Sequence, residues 1–378
     1  MVRQPLRSND IRESNEKLVL SLVFHNTQLS QSQVVQLTGL KAPTVYRIFA
    51  KLEAEQLIQL SRNSAADDGH RESERKGRRP SFYKINPNSG YAVGIDFSIQ
   101  TASVIVVDFA NDVIYDTCRE LEPGAHLDHT LSAIDEMIRN AIVSSGISAE
   151  ALIGIGIGSP GMVDTVTGEV LEYERIKGLA GFNLKKHFEA LFGAPVLVHN
   201  NASVIASSAY HYGIARGEDS LLAVLVRSGV GGALVNQGRI FLNGNVTALE
   251  VGRTLIEPGG PSLESIVSER ALLEMLQKRV PIASWQEAQE QHLGAGEVAD
   301  ALRYARTVFA AAIENLDHLF HPEAVLIIAR YALLAEVLGN VARETLPNRR
   351  VISMVYDAVQ ACYGATDLVF QQFFLRTP

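Results

Sequence analysis

Residues 30–60 read SQSQVVQLTGLKAPTVYRIFAKLEAEQLIQL. Ser30 is a good N-cap, and Gln33 stands where a capping box needs it, so the stretch predicts a short helix to about Thr38. Gly39 suits the left-handed residue that ends such a helix. A second helix starts near Ala42–Pro43, because proline is tolerated in a first turn, and carries Val45, Ile48, Phe49 and Leu52 on one face. Short helix, glycine turn, second helix is the helix-turn-helix pattern. The second helix of that pattern enters the major groove by its N-terminal turns. Lys41, Thr44, Tyr46, Arg47 and Lys51 are the polar or long side chains available there for double-stranded DNA. Arg47 can bond a guanine edge or a phosphate, and the sequence does not choose between them.

Outward from this stretch the pattern continues. Residues 15–24, NEKLVLSLVF, place apolar side chains at 18, 19, 22 and 23, a helical stripe. Leu57–Leu60 reads as a strand and Ser81–Ile85 as its partner, with the polar loop 61–80 between them. A hairpin after a recognition helix is a wing. Its tip ends in Arg75, Lys76, Arg78 and Arg79. A charge run is ordinarily a solvated loop, but on a wing Arg78 and Arg79 suit backbone contact or a narrow minor groove. Charge agrees. Residues 1–88 hold 14 Lys and Arg against 9 Asp and Glu, whereas the rest holds 20 against 33. A basic head on an acidic body fits nucleic-acid contact at one end only.

With 378 residues, the chain is long enough for two or three domains. Its 2 cysteines, far apart, form no disulfide framework and no metal-ligand spacing. No apolar run reaches the roughly eighteen residues of a membrane span, and the N-terminus lacks a signal-peptide core, so a cytoplasmic protein is expected. Gly156, Gly158 and Gly161 match a dinucleotide fingerprint after a strand, but Pro160 interrupts it and a turn follows where a helix is needed.

Residues 86–90, NPNSG, are a turn cluster and a boundary. Beyond it YAVGIDFS, TASVIVVDF and VIYDTCREL read as strands and residues 127–145 as an amphipathic helix. A strand runs into a glycine turn at 151–161, another feeds a helix at 196–217, and a strand pair surrounds the glycine turn of 221–241. From about Ser262 helical patterns dominate, interrupted by AVLIIA at 324–329. Strands followed by helices, twice over, argue for α/β architecture in two lobes.

These segments resemble the ROK family of repressors, open reading frames and kinases. GIGIGSPGMVD at 154–164 resembles its sugar loop, and PVLVHNNASVIASSAYHYGIARG its Glu-Asn-Asp strand and helix. RSGVGGALVNQGRIFLNGN resembles its second phosphate-loop hairpin, ALEVGR its Glu-x-Gly-His motif, and SLESIVSERALLE the segment after it. With the head included, the chain resembles the repressor branch of xylose and N-acetylglucosamine repressors. The resemblance implies an N-terminal winged helix-turn-helix (1–88) on an actin-like body of two ribonuclease-H-like lobes. The first lobe spans 89–198 and is completed by a C-terminal helix at about 362–378; the second spans 199–361 and carries ligand binding and dimerisation.

Departures from the family narrow the function. The Gly-Gly-Thr phosphate loop of its kinases is replaced by GIDFSIQTASV, and a late Gly-Gly pair by IIARYA. The kinase base is the Asp of Glu-Asn-Asp, and Asn201 stands in its place; an amide cannot accept a proton near neutral pH. No catalytic residue is therefore expected. Arg253 replaces the zinc His and EPGGPSLE the cysteine cluster, so neither metal nor cofactor is expected. Gly158, Asn200, Asn201, Glu250, Arg253 and Glu264 remain as ligand-binding candidates by resemblance. Asn201 and Arg253 make such a pocket more positive, which suits a sugar phosphate or sugar acid; the alternatives are a decayed pocket, or Arg253 paired with Glu250. The expected function is a DNA-binding repressor of carbohydrate genes, controlled by a sugar or sugar-phosphate effector and acting as a homodimer or higher oligomer. A sugar kinase with an accessory DNA domain, or a regulator controlled by a protein partner, are the competing readings.

Overall fold

The computed structural model describes residues 8–61, 81–122, 124, 126–247 and 249–375. The head begins with α1 (Ser8–Phe24), followed by β1 (Leu29–Ser30), α2 (Gln31–Thr38), α3 (Ala42–Ala54), β2 (Ile58–Leu60) and β3 (Phe82–Ile85). The capping box at Ser30 and Gln33 is formed, and Gly39 ends α2 at φ +69°. Pro43 lies in the first turn of α3, whose buried face is Val45, Ile48, Phe49 and Leu52. The three strands form an antiparallel sheet in the order β1-β3-β2, where the sequence expects the wing.

The first lobe holds β4 (Tyr91–Phe97), β5 (Thr101–Asp108), β6 (Val113–Glu120), α4 (Leu127–Ser144), β7 (Leu152–Ser159), β8 (Met162–Asp164), β9 (Glu169–Glu172), α5 (Leu184–Phe192) and β10 (Val196–Asn200). Next come α6 (Asn201–His211), β11 (Ser220–Val226), β12 (Val230–Asn236), β13 (Arg239–Ile240), β14 (Leu242–Asn243) and β15 (Val246–Thr247). Helices α7 (Leu263–Val267), α8 (Glu269–Gln277), α9 (Trp285–Glu290), α10 (Ala295–Ala301) and α11 (Arg303–Phe320) follow. The chain ends through β16 (Ala324–Ala329), α12 (Ala332–Thr345), β17 (Arg350–Val355) and α13 (Ala358–Leu375).

Two five-stranded sheets carry the body, β6-β5-β4-β7-β10 and β13-β12-β11-β16-β17. In each, an antiparallel meander is extended by two strands parallel to its first strand. The repeated order is that of two ribonuclease-H-like lobes. A smaller antiparallel sheet, β14-β15-β8-β9, joins them: Val246 pairs with Asp164, and Val163 donates its N–H to Thr247 Oγ1 at 3.1 Å.

Helix α13 lies on the first sheet where glycines let it approach. A Cβ on Gly156 would stand 1.8 Å from the Ala365 carbonyl oxygen. The GIGIG strand thus serves close helix–sheet packing. On its other side α13 crosses α6, where a Cβ on Gly364 would stand 1.7 Å from the Val204 carbonyl oxygen. No helix among the described residues is long and apolar enough to cross a membrane.

Candidate functional site

On the head, Lys41 is the exposed N-cap of α3, Tyr46 and Arg47 are exposed on its N-terminal half, and Thr44 is half-buried beside them. Lys51 is placed differently. Its Nζ lies 2.5 Å from Glu16 Oε2 on α1 and 3.7 Å from Glu55. The bond to Glu16 raises the ammonium pKa and ties α3 to α1, while the Lys51 side chain stays 39% exposed. Arg78 and Arg79 lie outside the described residues.

Between the lobes lies a cavity of about 580 Å³, lined in part by Asn200, Asn201, Glu250, Arg253 and Glu264. Asn200 is the N-cap of α6; its Oδ1 accepts from the Ser203 N–H at 2.9 Å, which aims the rest of the amide at the cavity. Asn201 turns toward the first lobe instead. Its Nδ2 donates to Asp96 Oδ1 at 2.6 Å and to the carbonyls of Phe97 and Gly158 at 3.1 and 3.2 Å. Gly158 does not line the cavity. A Cβ there would stand 2.8 Å from Val204 Cγ2, so this glycine serves packing between β7 and α6.

The cavity is not the positive pocket that Arg253 suggests in the sequence. Arg253 pairs with Glu172, not with Glu250, and both side chains of the pair are more than half exposed (57% and 55%). Arg175 pairs with Glu264 at 3.2 Å and also donates to the Ser228 carbonyl. Arg227 pairs with Asp96 at 3.3 Å. Each guanidinium at the cavity therefore has its own carboxylate. Burial pushes the Glu250 carboxyl up from its ordinary value, against the pull of Arg253. Two lining carboxyl groups, Glu174 and Glu250, are left outside these pairs.

Arg227 is the group that sequence reasoning missed. It directly follows β11 on the second lobe and reaches across to Asp96 on β4 of the first. Its guanidinium lies 4.1 Å over the Tyr356 ring, and the Tyr356 hydroxyl donates to Asp96 Oδ2 at 2.6 Å. The signal was an arginine opening the glycine turn RSGVGG, where an apolar strand has just ended.

From the cavity floor α6 runs to a second buried polar cluster. Asp367 of α13 accepts from Ser207 Oγ at 2.9 Å, Tyr212 OH at 2.7 Å and Gln371 Nε2 at 2.7 Å, and lies 2.8 Å from His211 Nδ1. One turn further, Phe370 and Phe374 of α13 pack on Phe24 of α1 with ring centroids 4.8 and 4.9 Å apart. Val23 and Val45 of the head share one apolar cluster with Val107, Phe109 and Val369 of the body. Cavity, α6, α13 and head are thus one continuous packed path.

The sequence pattern of the ROK family matches residues 92–354. The chain belongs to the ROK family. The protein named xylose repressor from Bacillus subtilis (strain 168) is 25% identical over 326 residues, 84% of this chain and 82% of its own length. A crystal structure described as a ROK family transcriptional regulator, homolog of E. coli MLC protein, superposes with a TM-score of 0.77 at 18% identity and covers 97% of both chains. A ROK family glucokinase from Streptomyces griseus, in complex with glucose and AMPPNP, gives 0.63 at 22% identity, its whole length matching 75% of this chain. Both superpositions speak for the fold. In this ROK body the Asn201 amide spends its donors on the first lobe, and Arg227 pairs with Asp96 beside it.

Proposed function

We propose that this ROK protein is a DNA-binding transcriptional repressor of carbohydrate genes, that a neutral sugar in the interlobe cavity controls its operator affinity, and that it catalyses no reaction. The observation that carries the reading is the continuous path from Asn200 through α6, Asp367 and Phe370 to Phe24 in the head. A ligand that prefers one lobe arrangement has a rigid route to the DNA-reading helix. The xylose repressor relatives, matched over both head and body, support the repressor and sugar assignments.

The cavity chemistry supports a neutral effector over an anionic one. Amide and carboxylate groups suit hydroxyls, which both donate and accept. A sugar phosphate needs an unpaired cation, and Arg175, Arg227 and Arg253 are each paired. On this reading the protein works in the cytoplasm as a homodimer, with two heads meeting half-sites about one helical turn or a multiple apart. Selection of bound fragments from the source genome tests it: recovered sites should lie beside carbohydrate genes and be released by a neutral sugar. Recovery of no preferred fragment contradicts it.

A further inference from the structure

Two cavities meet at one partition. The cleft of about 580 Å³ is the first; the second, of about 710 Å³, lies against α7, α8 and the start of α9. Arg175, Ser228 and Glu264 line both. Arg175 reaches across from the first lobe, donates to the Ser228 carbonyl and pairs with Glu264 at 3.2 Å. Its side chain is 34% exposed, so no close packing fixes it in that position.

The second cavity holds groups that the rest of the protein does not use. Glu269 is only 6% exposed, and its Oε1 has no hydrogen-bond partner among the described residues. A buried acceptor left unpaired is costly, so a ligand group gains by donating to this carboxyl once its side chain, whose Oε1 is sealed here, turns toward the cavity. Burial pushes this carboxyl up to about 7, with Arg227 and Arg330 pulling the other way. Tyr331 stacks on buried Trp285, ring centroids 6.3 Å apart and planes 27° off parallel, and so presents an aromatic wall. The cations at this cavity are already engaged: Arg175 with Glu264, and Arg270 with Glu274 at 3.5 Å. A buried carboxyl acceptor, hydroxyl side chains and an aromatic face without a free cation suit a sugar ring, whose hydroxyls bond the polar groups and whose C–H face covers the π-face.

We propose that the effector carries two linked sugar rings, one between Asn200 and Glu250 in the cleft, the other between Glu269 and Tyr331 in the second cavity, with the linkage passing where Arg175 now lies. The proposal rests on the cleft being a sugar site, as argued above. When the ligand binds, Arg175 leaves Ser228 and swings aside. A single ring fills the first cavity alone and leaves the partition closed.

Calorimetry on the full chain, with glucose, cellobiose and maltose as probes, tests this. The expected result is at least a tenfold tighter binding of one disaccharide than of glucose. Ala271→Trp, which fills the second cavity, and Tyr331→Ala, which removes its aromatic wall, should each abolish that gain and leave glucose binding unchanged. Unchanged glucose binding and thermal unfolding show that the variants are folded. Glucose binding without any disaccharide gain overturns the two-ring proposal and leaves the sugar reading standing. A disaccharide gain that survives Ala271→Trp also overturns it, because the second ring is then elsewhere. Failure of all three sugars to bind overturns both.

Discussion

Arg227 Nη1 lies 3.3 Å from Asp96 Oδ2, and the two residues belong to different lobes. Their side chains are 10% and 0% exposed, so the contact is a dry bridge across the hinge. It sits directly behind the cavity, with Asn201 and Tyr356 bonded to the same carboxylate. Any ligand that changes the angle between the lobes works on this bridge.

Removing the cation should be costly, because it leaves a buried carboxylate uncompensated. Arg227→Met is expected to lower stability by about 3–5 kcal/mol. Urea unfolding measures it. A loss below about 1 kcal/mol would show that water screens the pair.

Glu269 sets a pH dependence. Its folded value is pushed up to about 7 by burial, above the ordinary 4.5. Between those values the folded state holds more protons than the unfolded one, so stability falls as pH rises from about 4.5 to 7. Above that window the ionised carboxylate costs on the order of 3 kcal/mol. Glu269→Gln should flatten this slope and leave the protein more stable at pH 8 than the parent, read by unfolding at pH 5.5 and 8. An unchanged slope would remove Glu269 as its source.

On the proposed function, the start of α3 is the surface that meets DNA. Arg47→Ala should weaken operator binding by about 1–3 kcal/mol. Lys51→Met should change it by less than about 1 kcal/mol, because that ammonium is held by Glu16. Fluorescence anisotropy on a selected fragment separates the two. Equal losses would return Lys51 to the DNA surface.

Phe24 joins head to body. Phe24→Ala should cost about 2 kcal/mol, since the ring is half-buried among Phe109, Phe370 and Phe374. Sugar affinity should stay within about twofold, ~0.4 kcal/mol on the affinity scale, while sugar no longer releases DNA. Release that persists unchanged would place the coupling elsewhere.

Local signals made much of this fold legible in the sequence. Ser30, Gln33, Gly39 and Pro43 each act within a few residues of their own position, so their helix ends could be read directly. Some of the strands missed are defined only by distant partners. β1 is two residues long and pairs with β3, more than fifty positions away. β17 has no alternating pattern strong enough to announce it and is held by parallel pairing to β16. The same holds at the site. The residue types of the cavity were legible, but their partners were not: Arg253 took Glu172, Asn201 took Asp96, and Lys51 took Glu16. Arg227 escaped notice because its partner lies 131 positions away on the other lobe.

The central claim is that sugar in the cleft governs operator binding by the head. Its most direct test is anisotropy titration of the full chain on a selected operator fragment, from 50 to 200 mM salt, with and without a saturating neutral sugar that calorimetry has shown to bind. The account predicts an affinity that falls steeply with salt, as phosphate contacts require, and falls again at least tenfold when the sugar is added. Salt-independent binding, or an affinity that the bound sugar leaves unchanged, would contradict it.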